Sequence, residues 1–537
     1  MRSLYQIKFS LVTAAILIIW LGACKKIDDP QPFVPERVFT PTGLVVSGGD
    51  TVGTVSWKAS LFSAGQDINY TVEIFDNKTY SGTAAYTETT DTTNIRVTDG
   101  DLQPRKYYWA RVKANETPTA AGSIAWLASA DSFRLTGEQL FLPLNEDFLT
   151  ESGVQLRWKP APDFTKIVLT TAAGVSADYN LTPADITATQ KTITGLTPST
   201  TYSAEIFKGT ASKGLLSFTT KSPVPTGANV ITVGPTDDLA ALLAAAAPNA
   251  VFVLSQGSLH KADAEVILPA NASFTIWGHY GPDRAVIAFN GLRLPTVAGN
   301  IRFENVDFTG YQNNDPAGTK RNYIFNQSAA NTTESIVFEN CIIRNLVNTP
   351  LRLQGSAGQT INNLTFNKCT AYDIGDNGTT GTYAFIHTNV ATGKINNIKI
   401  TNSTLYKIGY SIILHNAAPS LSVLIENSTF DNTIGNGRYF IDYNAQAAGT
   451  IQINNVIIGK SLSPAATANG VRSTTAASAG NSYQVSNTGF VNNPIPGISN
   501  YAGNNAALFT DPANGNFLIK DAGFAGKSSA GAPKWRL

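Results

Sequence analysis

Two short stretches combine an apolar run with a histidine, and they are the first candidates for chemistry in this chain. Residues 383–389 read YAFIHTN and residues 411–417 read SIILHNA. His387 and His415 therefore follow similar runs and lie 28 residues apart, although the 537-residue chain contains only 4 histidines. An imidazole titrates near neutral pH and can act as a general base. Whether the two rings can work together depends on the fold that positions them.

A recurring phrase predicts that fold. Strand–turn–strand segments such as IRFENVDF, IVFENCII, LTFNKCTA and IKITNSTL recur at intervals near thirty residues. A repeat of this length is typical of a solenoid, here over residues 223–537. The turn positions favour Gly or Asn, which tolerate a left-handed backbone, and stacked asparagines can bond one another. The predicted turn residues are Gly278, Asn305, Asn340, Lys368, Asn402, Asn427 and Asn455. Lys368 breaks the asparagine ladder, although Asn367 sits beside it.

Each coil has a second recurring strand, with the phrases NYIFNQS, PLRLQGS, YAFIHTN, SIILHNA and YFIDYNA. We align the apolar residues that should point inward, which are Phe325, Leu353, Ile386, Leu414 and Ile441. Because strand side chains alternate and neighbouring strands lie about 4.8 Å apart, the next residues should form one polar stripe. This predicted stripe consists of Asn326, Gln354, His387, His415 and Asp442. It is either a site or a stack of like residues that completes a sheet face.

Further residues should border the stripe. Arg352 lies two residues before Gln354 and should point the same way, while Phe385 and Phe440 should add apolar surface. One step back along the coils, a second outward column is predicted. Its members are Arg344, Tyr372, Tyr406 and Asp431. Aromatic faces beside arginines and carboxylates suit sugar rings and uronic acids, so we expect these residues to bind substrate.

Residues 39–222 show a different pattern of alternating strands. Trp57 is followed by LQPRKYY, ending at Tyr108, and Trp158 is followed by LTPSTTY, ending at Tyr202. A buried tryptophan followed by a tyrosine corner resembles fibronectin type III domains. We place two such domains at residues 39–136 and 137–222, acting as spacers or as binding modules.

The solenoid resembles the right-handed parallel β-helix of the pectate lyase superfamily. The expected fold class is thus all-β: two fibronectin type III-like β-sandwiches followed by a right-handed parallel β-helix. The resemblance implies a substrate that lies along the second recurring strand, walled by the loops that precede it. The whole layout resembles Bacteroidetes lipoproteins encoded among polysaccharide-utilisation genes.

Three functions remain open at this stage. A lyase needs a group that neutralises the uronate, here Arg352, and a base, here His415 or His387. Asp373, Asp376 and Asp442 offer oxygen ligands for Ca²⁺. However, the compact aspartate run of pectate lyases is absent, and hydrolysis needs paired carboxylates, of which the stripe has one. We therefore expect binding of a uronic-acid polysaccharide, with a β-eliminating lyase or a structural, adhesive protein as alternatives.

The first residues indicate export. Arg2 and Lys8 precede an apolar stretch, and LGAC ends at Cys24. This resembles a bacterial lipobox, which implies a signal peptide at residues 1–24, acylation of Cys24 and a linker at 25–38; an ordinary signal peptide is the alternative. We expect a lipid anchor in the outer membrane and exposure at the cell surface. A net charge of +1 with no basic run argues against a nucleic-acid partner.

Two other cysteines share a solenoid column. Cys341 and Cys369 each follow a turn position by one residue. Such residues are predicted to be a stack of buried thiols, although an exported protein also permits a disulfide.

Overall fold

The computed structural model describes residues 36–63, 65–375, 381–462 and 468–537, and strands dominate it. The prediction of an all-β chain is confirmed. Its α-helices are Pro183–Ala188, Leu239–Ala244 and Asn505–Leu508, and its 3₁₀ helices are Glu146–Phe148, Gln312–Asn314, Pro512–Asn514 and Pro533–Trp535. Within the described ranges, no helix has the length and apolar character needed to cross a membrane.

The first sandwich packs two antiparallel sheets around Trp57 and Tyr70. One sheet contains Thr42–Gly48, Val52–Lys58 and Asn94–Thr98. The other contains Tyr86–Thr90, Tyr70–Phe75, Trp109–Ala114 and Leu127–Ala128. The buried Tyr108 hydroxyl accepts the Gln103 backbone N–H at 3.0 Å, which ties the corner as predicted.

The second sandwich repeats this plan around Trp158, which is fully buried. Its strands are Gly153–Arg157 with Gln190–Thr194, and Ser176–Asn180, Lys166–Thr171, Thr201–Lys208 and Ala211–Thr219. The Tyr202 hydroxyl accepts the Thr197 N–H at 3.0 Å. Both tyrosine corners and both tryptophans thus occupy the places expected for fibronectin type III domains.

From Val230 onward the chain coils through three parallel sheets, as expected for a parallel β-helix. Sheet 1 contains Val230–Val233, Ala250–Leu254, Ala272–Gly278, Val297–Glu304, Asn331–Glu339, Gln359–Asn367, Gly393–Thr401, Ser420–Glu426, Ala448–Asn454 and Ala477–Gly480. Sheet 2 contains Leu259–Ala262, Val286–Phe289, Asp307–Thr309, Ile342–Arg344, Thr370–Ile374, Thr404–Ile408, Thr429–Thr433, Ile457–Ile458, Tyr483–Val485 and Ser499–Tyr501. Sheet 3 contains Val266–Ile267, Leu292–Arg293, Tyr323–Gln327, Thr349–Leu353, Ile386–Thr388, Ile413–His415, Tyr439–Asp442, Ala468–Arg472 and Phe490–Asn492.

The interior of the solenoid is a continuous apolar core. Phe303, Phe338 and Phe366 are register partners in sheet 1, and the last two rings stack at 4.8 Å. Burying each of these side chains contributes about 2–3 kcal/mol. Leu239 and Leu243 on the short helix are buried in the same core, next to the first coils. The sheets are thereby held as a rigid support for the side chains on their outer faces.

The turns between sheets 1 and 2 confirm the predicted ladder. Asn305, Asn340, Lys368, Asn402, Asn427 and Asn455 all adopt a left-handed backbone, with φ between 48° and 57°. Asn340 Nδ2 donates to Asn305 Oδ1 at 2.7 Å, and Asn402 Nδ2 donates to Asn367 Oδ1 at 2.8 Å. Asn367 therefore takes the place in the ladder that Lys368 leaves vacant. Gly278 is not among the left-handed residues, so that part of the prediction is wrong.

The cysteine column is also as predicted. Cys341 and Cys369 are both buried and carry free thiols rather than a disulfide. Their Sγ atoms contact backbone carbonyls, those of Phe303 and Phe338 among them. Burial raises the pKa of the Cys369 thiol, which keeps it protonated and inert.

Candidate functional site

The register of sheet 3 corrects the predicted stripe. The residues that share its outward column are Asn326, Arg352, His387, Leu414, Asp442 and Arg472. Asn326, His387 and Asp442 were placed correctly, whereas Gln354 and His415 were not. In PLRL, both Leu351 and Leu353 face inward. The prediction aligned Leu353 with the inward residues of the other coils, whereas the structure aligns Leu351 with them, and this places Arg352 in the outward column. Gln354 lies just past the strand, where its Nε2 donates to Asn326 Oδ1 at 2.9 Å.

His415 points into the core, opposite to the prediction. The three residues before His415, Ile412 to Leu414, are all apolar, so their pattern does not define which of them face inward, and a one-residue shift reverses every side chain. The ring is 0% exposed and stacks on Tyr443 at 5.2 Å. The Ile395 N–H donates to Nε2 at 3.0 Å, while Nδ1 donates to the Ala418 carbonyl at 2.8 Å. Burial lowers the pKa of His415 to about 4. This histidine satisfies backbone groups, and it is not a surface base stacked on His387.

Phe385 and Phe440 also differ from the prediction. Both are 0% exposed and belong to the solenoid core, so they cannot border an outer surface. Phe385 packs on Phe366 at 4.8 Å, and Phe440 packs on Phe430 at 5.0 Å. Phe385 directly precedes the strand Ile386–Thr388, where the alternation of a strand has not yet begun, so Phe385 and Ile386 can both face inward. Phe440 lies inside the strand Tyr439–Asp442, and both Phe440 and the next residue, Ile441, belong to the core.

The outer face of sheet 3 carries a group of aromatic and cationic side chains that we call the Arg–Tyr surface. Its members are Tyr323, Arg352, Tyr383, His387, Tyr410 and Arg438. The Arg352 Cζ lies 4.9 Å from the Tyr383 ring centroid, and its Nη1 donates to the Tyr323 hydroxyl at 3.2 Å. The Arg438 Cζ lies 4.2 Å from the Tyr410 ring centroid.

The positions of these residues follow from the coil. Tyr383, Tyr410 and Arg438 each lie four residues before the outward column, at the point where the chain enters sheet 3. All three are half-buried, as are Arg352 and Tyr323. The sequence reasoning missed Tyr323, Tyr383 and Tyr410. The signal was available, since each lies within or directly before a phrase that was aligned for its later residues.

His387 is a hydrogen-bond donor on this surface. The Ala384 N–H donates to its Nδ1 at 3.2 Å, so the proton of the neutral ring resides on Nε2. Its ring centroid lies 4.7 Å from that of Tyr383. Burial, with the charge of Arg352 as a smaller cause, lowers the pKa of His387 to about 4. A neutral ring with its acceptor nitrogen occupied does not act as a general base at that nitrogen.

The guanidinium groups of the Arg–Tyr surface are incompletely satisfied. Among the described residues, neither Arg352 nor Arg438 forms an ion pair with a carboxylate. The Nε atoms of both are buried without a hydrogen-bond partner. Asp442, by contrast, binds Arg472 through two bonds of 2.9 and 2.7 Å, so its charge is already neutralised. The surface therefore has an excess of positive charge beside exposed ring edges.

The second predicted column exists but is largely covered. Arg344, Tyr372, Tyr406 and Asp431 are consecutive register partners on sheet 2. The tyrosine rings stack at 5.0 Å, but Phe517 packs on Tyr406 at 5.4 Å, and Asp431 is 2% exposed. Arg344 is engaged by Asp307 at 2.8 Å. The prediction of an open substrate surface here is wrong because the chain folds back over it.

The covering element is the C-terminal segment, residues 505–537. It contains a hairpin of Phe509–Asp511 and Asn516–Ile519. Farther on, Trp535 Nε1 donates to Thr404 Oγ1 and Lys534 Nζ donates to Thr370 Oγ1, each at 2.8 Å. Sequence periodicity gave no sign of this contact, since the segment pairs with sheet 2 through side chains rather than as a further coil.

The predicted calcium ligands do not converge. Asp373 lies on sheet 2, where its Oδ1 is 3.8 Å from Lys407 Nζ, whereas Asp442 lies on sheet 3 and binds Arg472. Asp376 and the predicted acylation residue Cys24 lie outside the described residues. Within the described part of the chain, no group of three His, Cys, Asp or Glu side chains is arranged to hold a metal ion.

Comparisons with known proteins match two families and several solved structures. Residues 261–408 match a family described as "Domain of unknown function (DUF4957)", and residues 423–535 match "Domain of unknown function (DUF5123)". No curated protein matches the chain. Among solved structures, the chicken CNTN1 FN1–FN3 domains are 15% identical, with a TM-score of 0.17, over 35% of this chain and 69% of that one. A two-domain fibronectin type III segment of chicken tenascin is 15% identical, with a TM-score of 0.19, over 34% of this chain and 99% of that one.

Proposed function

We propose that this protein is a lipid-anchored cell-surface protein that binds an acidic polysaccharide along sheet 3. The observation that carries the proposal is the Arg–Tyr surface, where Arg352 and Arg438 lie over tyrosine rings with buried, unpartnered Nε atoms. A guanidinium group can bind a carboxylate through two parallel hydrogen bonds from its fork of N–H groups.

The surface has the chemistry that a uronic-acid chain requires. Sugar rings present apolar C–H faces that pack on tyrosine, while their carboxylates need cations that are not already paired. His387 adds an Nε2–H donor between the two arginines. Gln354 and Asn326 add amide groups at the Arg352 end.

The spacing favours a polymer over a single sugar. Arg352 and Arg438 belong to coils that are three strand spacings apart, or about 14 Å. A ligand that reaches both guanidinium groups must extend across the strands.

The N-terminal part of the chain supports the location in this proposal. Acylation of Cys24 would anchor the protein, and the linker with two sandwiches would hold the solenoid away from the membrane. In intact cells, we expect acyl labelling to be lost in Cys24→Ala and the solenoid to be cleaved by added protease. Labelling that survives Cys24→Ala would refute the anchor.

Binding is better supported than elimination. His415 is in the core and His387 has its acceptor nitrogen occupied, so neither imidazole is placed as the base of a lyase. The lyase remains the alternative, and it is tested by the ultraviolet absorbance of unsaturated uronides during incubation with each polymer.

The binding experiment uses residues 25–537, which include every described residue. We would measure retardation in affinity gels that contain polygalacturonate, alginate or hyaluronan, with dextran as the neutral polymer. Retardation by at least one acidic polymer, and its loss in Arg352→Gln and Arg438→Gln, is the expected result.

The matched control is Arg302→Gln on the outer face of sheet 1. Arg302 lies among Glu304 and Glu339, so its removal changes the net charge by the same amount at a different face. Equal weakening by Arg302→Gln would show a nonspecific charge effect. Absence of retardation by every acidic polymer would overturn the proposal.

A further inference from the structure

A cavity lies between sheet 2 and the C-terminal segment. Its volume is about 390 Å³, within the usual range of small-molecule pockets. Lys407 and Asp431 line it from sheet 2, Lys460 from the following loop, and Asn505 and Lys520 from the C-terminal segment. The cavity is thus formed only because residues 505–537 fold back along the solenoid.

The floor of the cavity is a built polar arrangement. The buried Asp431 accepts the Lys460 backbone N–H at 3.0 Å and the Asn505 Nδ2 at 3.1 Å through Oδ1. Asn505 is itself held by Asn487, whose Nδ2 donates to the Asn505 Oδ1 at 3.0 Å. These bonds fix the relative positions of sheet 2 and the C-terminal segment on either side of the cavity.

The side chains around this floor leave an excess of positive charge. Among the described residues, the ammonium groups of Lys460 and Lys520 form no ion pair, and Lys407 lies 3.8 Å from Asp373. Asp511, the other carboxylate of the lining, accepts Asn514 Nδ2 at 2.8 Å. Burial raises the pKa of Asp431 to about 7, so this carboxyl carries only part of a negative charge at neutral pH.

We propose that this cavity binds a small ligand through an oxyanion, which is a phosphate, a sulfate ester or a carboxylate. Three lysine residues line a space large enough for a sugar-sized molecule, and lysine is a common point-charge ligand for such groups. The site belongs to sheet 2 and is separate from the Arg–Tyr surface on sheet 3. It does not depend on whether the protein binds a polysaccharide.

The test is isothermal titration of residues 25–537 at low ionic strength, with inorganic phosphate, inorganic sulfate, glucuronate and uncharged glucose as separate ligands. We expect saturable binding of one anion per chain by at least one of the three anions, and none by glucose. Which anion binds most tightly identifies the chemical source of the oxyanion.

Variants distinguish the cavity from general attraction of anions. Lys460→Gln combined with Lys520→Gln should weaken binding about a hundredfold, because each charged hydrogen bond contributes on the order of a factor of ten. Lys399→Gln removes one charge from the exposed outer face of sheet 1 and should leave binding unchanged. Arg352→Gln should also leave it unchanged. Non-saturable binding, or equal weakening by Lys399→Gln, would overturn the proposal.

Discussion

Replacement of His415 by glutamine should change how the solenoid responds to acid. The neutral ring is fully buried, and both nitrogens are bonded to backbone groups of Ile395 and Ala418. Protonation would add a charge to the core and abolish the acceptor that holds the Ile395 N–H. A glutamine amide can donate and accept at the same time but does not titrate.

The expected loss of stability in acid follows from the pKa of His415, which falls from 6.5 to about 4 on folding. Between these values the unfolded chain binds more protons than the folded chain, so the stabilisation is complete above pH 6.5 and is lost as pH falls towards 4. The full loss is about 3 kcal/mol, of which about 2 kcal/mol falls between pH 7.5 and pH 5.

The assay must separate the solenoid from the sandwiches, because a chain with several domains need not unfold in one step. Pulsed hydrogen exchange at equilibrium in urea, read by mass spectrometry for the strand Gly393–Thr401, reports the solenoid alone. Wild type should lose about 2 kcal/mol more than His415→Gln between pH 7.5 and pH 5. Equal losses in the two proteins would refute the argument that His415 is held neutral in the core.

Three other substitutions test separate parts of the structure. Asp431→Asn should unfold at a higher urea concentration than wild type at pH 8.5 but not at pH 5. Burial raises the pKa of Asp431 from 3.8 in the unfolded chain to about 7 in the folded chain. The wild-type protein therefore loses about 4 kcal/mol of its free energy of unfolding as pH rises through that window. Asn402→Ala should destabilise by about 1–2 kcal/mol more than Asn402→Gly, since both lose the bond to Asn367 but only alanine resists a φ of 52°; equal urea midpoints would contradict this. Tyr108→Phe should lower the stability of the first sandwich by about 1 kcal/mol, measured by thermal unfolding, while Tyr107→Phe at an exposed position should not.

The turns of the solenoid could be predicted because their requirement is local. A left-handed backbone is tolerated by few residue types, so Asn305, Asn340 and Asn402 mark the same bend in successive coils. At the exception, Lys368, the neighbouring Asn367 accepts the side-chain bond from Asn402, and its own amide donates to Glu339 instead of to Asn340. The tyrosine corners were found for the same reason, because one side chain bonds backbone only a few residues away.

The register of sheet 3 was harder to predict because its strands are short and the strand Ile413–His415 has apolar residues facing both inward and outward. In SIILH, Ile412, Ile413 and Leu414 are all buried, so hydrophobicity does not define the face that His415 occupies. The packing of the C-terminal segment on sheet 2 could not be predicted for another reason. Its contacts, such as that of Phe517 with Tyr406, join residues more than one hundred positions apart, and no repeating pattern in the sequence predicts them.

The observed register of sheet 3 changes which residue type indicates a functional site. The rarity of histidine drew attention to His415, yet a rare polar residue in a core can be there to satisfy backbone, as its bonds to Ile395 and Ala418 show. Replacing His415 by alanine would leave the Ile395 N–H and the Ala418 carbonyl unpaired beside a new cavity. A loss of activity in that variant would therefore show that the protein had unfolded, and not that His415 takes part in catalysis. Arg352 and Arg438 are different, because neither guanidinium group forms an ion pair with a carboxylate among the described residues. A ligand carboxylate would neutralise charges that the fold leaves unpaired, and for this reason the Arg352→Gln and Arg302→Gln pair tests function where a histidine variant would test folding.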